Sequence, residues 1–215
     1  MKRTVRVVPA ILTDSTVELT RLVSLANRFA HFVQVDIMDG VFVPTRSIEV
    51  SDLRAQDIRF AWEAHLMVSD PLSCLEPFRD AGARRVVFHF ESQTEPTAVI
   101  DAARVLGLGV GLAVNPPTPV ADITPLLPVV DSVLLMTVYP GYYGAAFVPE
   151  VMSKVAEVRA IRADVEIGVD GGIKESNLRY VARQGVDTLC VGSAVFASPD
   201  PEASYARLVA LAQGL

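Results

Sequence analysis

The sequence predicts an α/β fold, a single-domain (β/α)8 TIM barrel. Three observations predict it. Short β-branched runs alternate with longer amphipathic stretches along the whole chain, a pattern of parallel strands joined by crossover helices. Eight such units fit into 215 residues, about 27 residues each, which suits a compact barrel. No linker, low-complexity stretch or charge run divides residues 1–215. An open doubly wound sheet has the same local pattern and remains the alternative fold.

The first strand is expected at Arg6–Ala10, followed by a helix over Thr16–Arg28. The second strand, His31–Asp36, is followed by the least regular stretch, Thr45–Leu53. Strands at Arg59–Met67, Arg84–Phe90 and Gly109–Val114 alternate with helices at Leu72–Ala81, Pro96–Leu106 and Pro119–Leu126. The last three strands are Ser132–Thr137, Val165–Asp170 and Thr188–Gly192, interleaved with helices at Pro149–Arg162, Lys174–Gln184 and Pro201–Ala212. Ser69-Asp70-Pro71 and Ser198-Pro199-Asp200-Pro201 place a capping side chain just ahead of a first-turn proline.

Composition narrows the function classes. The chain is 51% hydrophobic and 20% charged, which fills a sizeable core and excludes disorder for its bulk. Its net charge of −6 leaves no excess cation for a nucleic-acid platform. The two cysteines, Cys74 and Cys190, are too few for a disulfide framework. The N-terminal apolar run is soon broken by Asp14, too short for a signal peptide or membrane span, so a cytoplasmic protein without a membrane partner is expected.

In a barrel the chemistry belongs at the C-terminal ends of the strands. Side chains alternate along a strand, so Gln34, Asp36 and Met38 share one face while Val33, Val35 and Ile37 take the other. The apolar face suits packing under helices, which leaves the polar set for the barrel mouth. By the same rule Glu63, His65 and Met67 point inward, and Met136 and Asp170 end strands six and seven. Two carboxylates facing each other across a ligand can remove a proton from carbon on one side and return one on the other, inverting a stereocentre. A metal held by carboxylates and histidine would supply the electrophile beside the carbanion. The methionines would line the reaction zone with apolar surface, although each taken singly suits core filling equally well.

A second, anionic site is expected where Gly171-Gly172 follows strand seven and Gly192-Ser193 follows strand eight. Barrels commonly hold phosphate in these two loops, and glycine lets backbone N–H groups approach an anion. His89 and Glu91 end strand four, as support for the site or as buried partners for one another. His31 and Trp62 suit structural roles, Glu63 a supporting one, and Cys190 a free buried thiol.

The chain resembles the ribulose-phosphate 3-epimerases. The matching stretches are Pro9–Leu12, Val35–Pro44, His65–Met67, Asn115–Pro119, Leu134–Val138, Val169–Ile173 and Gly192–Ala194, in order from about Val5 to the C-terminus. The resemblance implies a phosphorylated ketose substrate, interconversion of ribulose 5-phosphate and xylulose 5-phosphate through a metal-stabilised enediolate, and a homo-oligomer. It also implies one divalent metal ion: zinc, iron, manganese or magnesium. On this chain Asp36 and Asp170 would be the acid/base pair and metal ligands, with His65 a third ligand and Gln34 a weakened fourth. Gly141, Gly144, Gly171, Gly172, Gly192 and Ser193 would hold the phosphate, and Ala10, Met38, Met67 and Met136 would line the substrate pocket.

Three departures stand out. The family has a metal-binding histidine where this chain has Gln34, and a serine where it has Ala10. Its loop after strand six usually reads asparagine-proline-glycine, phenylalanine-glycine-glycine, whereas this chain reads Tyr139-Pro140-Gly141-Tyr142-Tyr143-Gly144-Ala145. Zinc and iron favour imidazole, while an amide oxygen suits harder ions, so affinity should fall at Gln34. These departures keep two alternatives open: an epimerase of a different ketose phosphate, such as a hexulose 6-phosphate, and a phosphate-ligand-binding barrel with lost or weakened catalysis. A decarboxylase related to orotidine-phosphate decarboxylase would need a lysine in strand three, where Glu63-Ala64-His65-Leu66-Met67-Val68 has none.

Overall fold

The computed structural model describes residues 4–141 and 145–214. Eight parallel strands close on themselves in chain order, β1 against β2 and onward to β8, which pairs back with β1. They are β1 (Arg6–Ile11), β2 (Phe32–Met38), β3 (Ala61–Met67), β4 (Arg85–His89), β5 (Gly109–Val114), β6 (Ser132–Met136), β7 (Glu166–Asp170) and β8 (Thr188–Val191). Closure decides against the open sheet. No described helix is long and apolar enough to cross a membrane.

The outer layer comprises α1 (Thr16–Phe29), α2 (Val50–Arg54), α3 (Leu72–Asp80), α4 (Pro96–Val105), α5 (Val120–Ile123), α6 (Ser153–Ile161), α7 (Glu175–Ala182), α8 (Ser193–Phe196) and α9 (Pro201–Gln213). Helix α1 shows why these segments fold as they do. Ser15 caps it by accepting from the Glu18 N–H at 3.3 Å, and Leu19, Leu22, Val23 and Ala26 form one buried stripe. The expected cap before α9 also forms, with Asp200 accepting from Ala203 at 3.0 Å and Pro201 in the first turn. At α3 Asp70 instead accepts from the Leu72 N–H at 3.2 Å, with Pro71 just outside the helix.

Four outer segments depart from the periodicity. The helix expected over Pro119–Leu126 is the four-residue α5 followed by a 3-10 turn over Thr124–Leu126. Pro125 has no N–H to continue the α-helical ladder, although Thr124 before it keeps α geometry. Likewise Pro149–Met152 is a 3-10 turn ahead of α6. The short α2 and α8 had no periodic signal, because four or five residues are too few to show one.

Strand alternation divides the core. Val33, Val35 and Ile37 face outward into the large cluster between strands and helices. Inside the barrel, Val8, Val87, Ala113, Leu134 and Met136 form a separate apolar cluster. At the barrel floor Glu63 is 2% exposed and pairs with Arg85 at 2.5 Å. Arg85 also meets Glu166 at 3.0 Å, and Arg6 meets Glu166 at 2.7 Å. Glu63 therefore belongs to the floor, one inward position below His65, and does not support the mouth as its place in the sequence suggested.

Candidate active site at the barrel mouth

Register lines up the inward residues of β2 and β3 in tiers. Gln34 lies beside Glu63, Asp36 beside His65, and Met38 beside Met67. On the far side Met136 pairs with Asp170, and Asp170 with Cys190. Closure through β1 then brings β8 and β7 round toward β2, so groups far apart in sequence converge.

The convergence is tight. Asp36 Oδ1, His65 Nδ1 and Asp170 Oδ2 belong to a set of donor atoms all within 4.8 Å of one another. His65 Nδ1 lies 2.9 Å from Asp36 and 3.5 Å from Asp170. The Gln34 amide nitrogen sits among them, donating to Asp36 Oδ1 at 2.8 Å and Asp170 Oδ2 at 2.7 Å, and lying 3.4 Å from His65 Nδ1. Its oxygen faces the other way and accepts from the Cys190 thiol at 3.1 Å.

Behind this set lies a histidine pair. His65 Nε2 is 3.0 Å from His89 Nε2, and His89 Nδ1 is 3.4 Å from Glu91. Glu91 is fixed in turn by the Asn115 N–H at 2.9 Å and by the Thr118 hydroxyl. His89 thus backs the site through His65, and Glu91 lies beside it without a hydrogen bond between His89 Nδ1 and Glu91 Oε2. A residue without a sequence signal, Lys154, donates to the carbonyls of Asn115, Pro116 and Thr118 at 3.0, 2.8 and 2.6 Å and pins that loop.

Burial and neighbouring charge set the acidities. Asp36 is pushed above the usual carboxylate range by burial and by Asp170. Burial alone would lower the His65 imidazole, but its hydrogen bonds to Asp170 and Asp36 outweigh that and hold it up at about 10. Burial pushes His89 down to about 4, against the opposing pull of Glu91. A protonated His65 beside a neutral His89 assigns one proton to the bond between them.

A cavity of about 500 Å³ opens from these groups. Asp36 and Asp170 line it with Ala10, Met38, Met67 and Met136, and its other end is lined by Gly141, Gly171, Gly172, Gly192 and Ser193. Gly144 lies outside the described residues. Gly171 has φ +112°, and a Cβ there would come within 2.4 Å of Val138, so only glycine fits the turn after β7. Thr137 ties the carbonyls of Asp170 and Gly171 at 2.9 and 2.6 Å. Asp39, inside the matching Val35–Pro44 stretch, is a turn residue: it accepts from the N–H groups of Val41, Phe42 and Ser69 at 2.7–2.8 Å.

Residues 6–196 match the ribulose-phosphate 3 epimerase family. The chain is 37% identical over 210 residues to the ribulose-phosphate 3-epimerase of Mycobacterium leprae, covering 94% of this chain and 92% of that protein. It is 36% identical to ribulose-phosphate 3-epimerase 1 of Cupriavidus necator, covering 97% and 91%. Among solved structures, 3-hexulose-6-phosphate synthase from Salmonella typhimurium superposes with a TM-score of 0.73 at 16% identity, over 96% of this chain and 98% of that one. Orotidine 5'-phosphate decarboxylase from Pyrococcus horikoshii gives 0.69 at 15% identity, over 98% and 100%. Likeness at that identity is a likeness of fold alone.

Proposed function

Because the chain belongs to the ribulose-phosphate 3-epimerase family of carbohydrate isomerases, we propose that it interconverts D-ribulose 5-phosphate and D-xylulose 5-phosphate by proton transfer at C3. The observation that carries this reading is the pair Asp36 and Asp170, brought from β2 and β7 by barrel closure to line one cavity. One carboxylate removes the C3 proton while the other delivers a proton to the opposite face. The Asp36 carboxyl, held above the usual carboxylate range by burial and by Asp170, suits the member that holds a proton between turnovers. Met38, Met67 and Met136 exclude water from the carbanionic carbon, and Ala10 leaves space on the same wall. Gly171, Gly172, Gly192 and Ser193, with Gly141, hold the phosphate by backbone N–H groups.

The donor chemistry at the mouth fits a divalent cation. Asp36, His65 and Asp170 offer two carboxylate oxygens and one imidazole nitrogen within reach of one point. Ligation through His65 Nδ1 would leave Nε2–H to donate to His89 Nε2, so His89 supports the tautomer a ligand needs. A cation bound there would supply an electrophile that lowers the cost of the developing enediolate charge. Gln34 adds no donor in the orientation it adopts, since its amide nitrogen faces the three ligands.

The test is incubation of the purified protein with ribulose 5-phosphate in deuterated water, with C3 proton loss and xylulose 5-phosphate formation followed by NMR. Exchange coupled to epimerisation is the expected result, with unphosphorylated ribulose reacting far more slowly than the phosphate ester. Binding of the phosphate ester without exchange would replace this reading with that of a ligand-binding barrel, which the amide bridging both aspartates otherwise favours.

A further inference from the structure

A trans peptide plane carries its carbonyl and the following N–H on opposite edges, so pinning one aims the other. Two such planes are pinned in the turn after β7. The Thr137 N–H donates to the Asp170 carbonyl at 2.7 Å. That leaves its hydroxyl, with one proton to give, for the Gly171 carbonyl at 2.6 Å. The Asn177 amide nitrogen donates to the Gly172 carbonyl at 2.9 Å, and its oxygen accepts from the Lys174 N–H at 2.8 Å. Only this orientation of the amide serves both partners, since a carbonyl cannot donate and an N–H cannot accept. The pinning side chains lie outside the cavity: Gly171, Gly172 and Ile173 line it, whereas Thr137 and Asn177 do not. The Ile173 side chain is buried in the main core cluster, so its backbone is the part that faces the opening.

We infer that Thr137 and Asn177 are positioning residues for the substrate phosphate: they draw the Gly171 and Gly172 carbonyls away from the cavity and so aim the N–H groups of Gly172 and Ile173 into it. This rests on the reading of the turn after β7 as the phosphate end of the cavity, and it adds the Ile173 N–H to the groups that hold the anion. Neither N–H donates to a backbone carbonyl among the described residues. Adjacent N–H groups turned to one side make a concave seat for an anion. A plane released from its pin can turn over and set a carbonyl oxygen against the phosphate, which exchanges attraction for repulsion. Neither side chain touches the substrate, and each acts through one peptide plane.

The experiment compares wild type, Asn177→Ala, Asn177→Asp, Thr137→Val and Thr137→Ser, with circular dichroism to establish folding. Two quantities are read for ribulose 5-phosphate and for unphosphorylated ribulose: Kd by titration calorimetry, and kcat/KM. Asn177→Ala and Thr137→Val should each weaken binding of the ester about threefold to tenfold, the worth of one hydrogen bond, and leave kcat/KM for ribulose at the wild-type value. Thr137→Ser keeps the hydroxyl and should bind the ester as wild type does. Asn177→Asp still accepts from the Lys174 N–H but cannot donate to the Gly172 carbonyl. It should fold as stably as wild type and bind the ester no better than Asn177→Ala. Wild-type ester affinity in the folded Asn177→Ala and Thr137→Val variants, or in Asn177→Asp, would overturn the inference. So would an equal fall for ribulose and its ester, the mark of a merely structural role. A wild-type protein that binds ribulose no less tightly than its ester would overturn the phosphate reading itself, and the inference with it.

Discussion

The two-aspartate reading makes an asymmetric prediction. Asn is isosteric with Asp, and its carbonyl oxygen can still accept from the Gln34 amide, which bonds Asp36 at 2.8 Å and Asp170 at 2.7 Å. Asp36→Asn and Asp170→Asn should therefore fold, and each removes one proton carrier from one face. Loss of a general acid/base lowers turnover by about 10²–10⁴, or about 3–5.5 kcal/mol of barrier. Epimerisation should fall by that factor in both variants. Hydrogen exchange should not fall evenly, because the surviving carboxylate can still take and return the proton on its own face. Each variant should thus exchange C3–H of one epimer with deuterated water and be nearly inert toward the other, and the two variants should show opposite choices. NMR of each ketose phosphate incubated separately reads this directly. Epimerisation near the wild-type rate in either variant, or the same epimer exchanged by both, would refute the opposed-carboxylate mechanism.

Other expectations concern the scaffold. Gly171→Ala places a Cβ 2.4 Å from Val138 at φ +112° and should cost about 1–3 kcal/mol in chemical denaturation, while raising KM for the phosphate ester. Arg85→Met leaves Glu63 buried and unpaired, a loss of about 3–5 kcal/mol by urea unfolding, and adding Glu63→Leu should recover most of it. His89 titrates at about 4 in the fold against an ordinary 6.5. Its neutral form is favoured by folding, so its contribution is full above pH 6.5 and is lost as pH falls through 4, by about 3.5 kcal/mol at about 1.4 kcal/mol per pH unit. Urea unfolding with chelator present should show a shallower acid decline in His89→Gln than in wild type, and parallel curves would count against this assignment.

Much of the mouth was legible because strand alternation is a local property. Asp36, His65 and the three methionines could be placed inward from a period of two alone, and the glycines after β7 and β8 stood where a barrel brings two loops together. What could not be read is pairing. Gln34 and Cys190 are 156 positions apart and meet only because β8 closes onto β1 beside β2. A free buried thiol was the right description of Cys190, but its hydrogen bond depends on that closure. Glu63 has the same facing as His65, yet its height along the barrel is set by where Arg85 enters on β4, which no spacing within β3 reveals. Lys154 gave no signal because its three acceptors are backbone carbonyls.

The floor of the barrel carries two carboxylates, Glu63 and Glu166, and two guanidinium groups, Arg85 and Arg6, joined in one chain of contacts. Their formal charges cancel, which limits the net field the floor sends toward the mouth. Coulomb interactions weaken further across the distance and through opposed pairs. The Asp36 carboxyl then answers to the few groups within reach of it, Asp170, His65 and the Gln34 amide in the tier beneath. Such a barrel can have its acid–base chemistry retuned by exchanging that single inward side chain, an imidazole for an amide, with no compensating change in the ion pairs that hold the strands together.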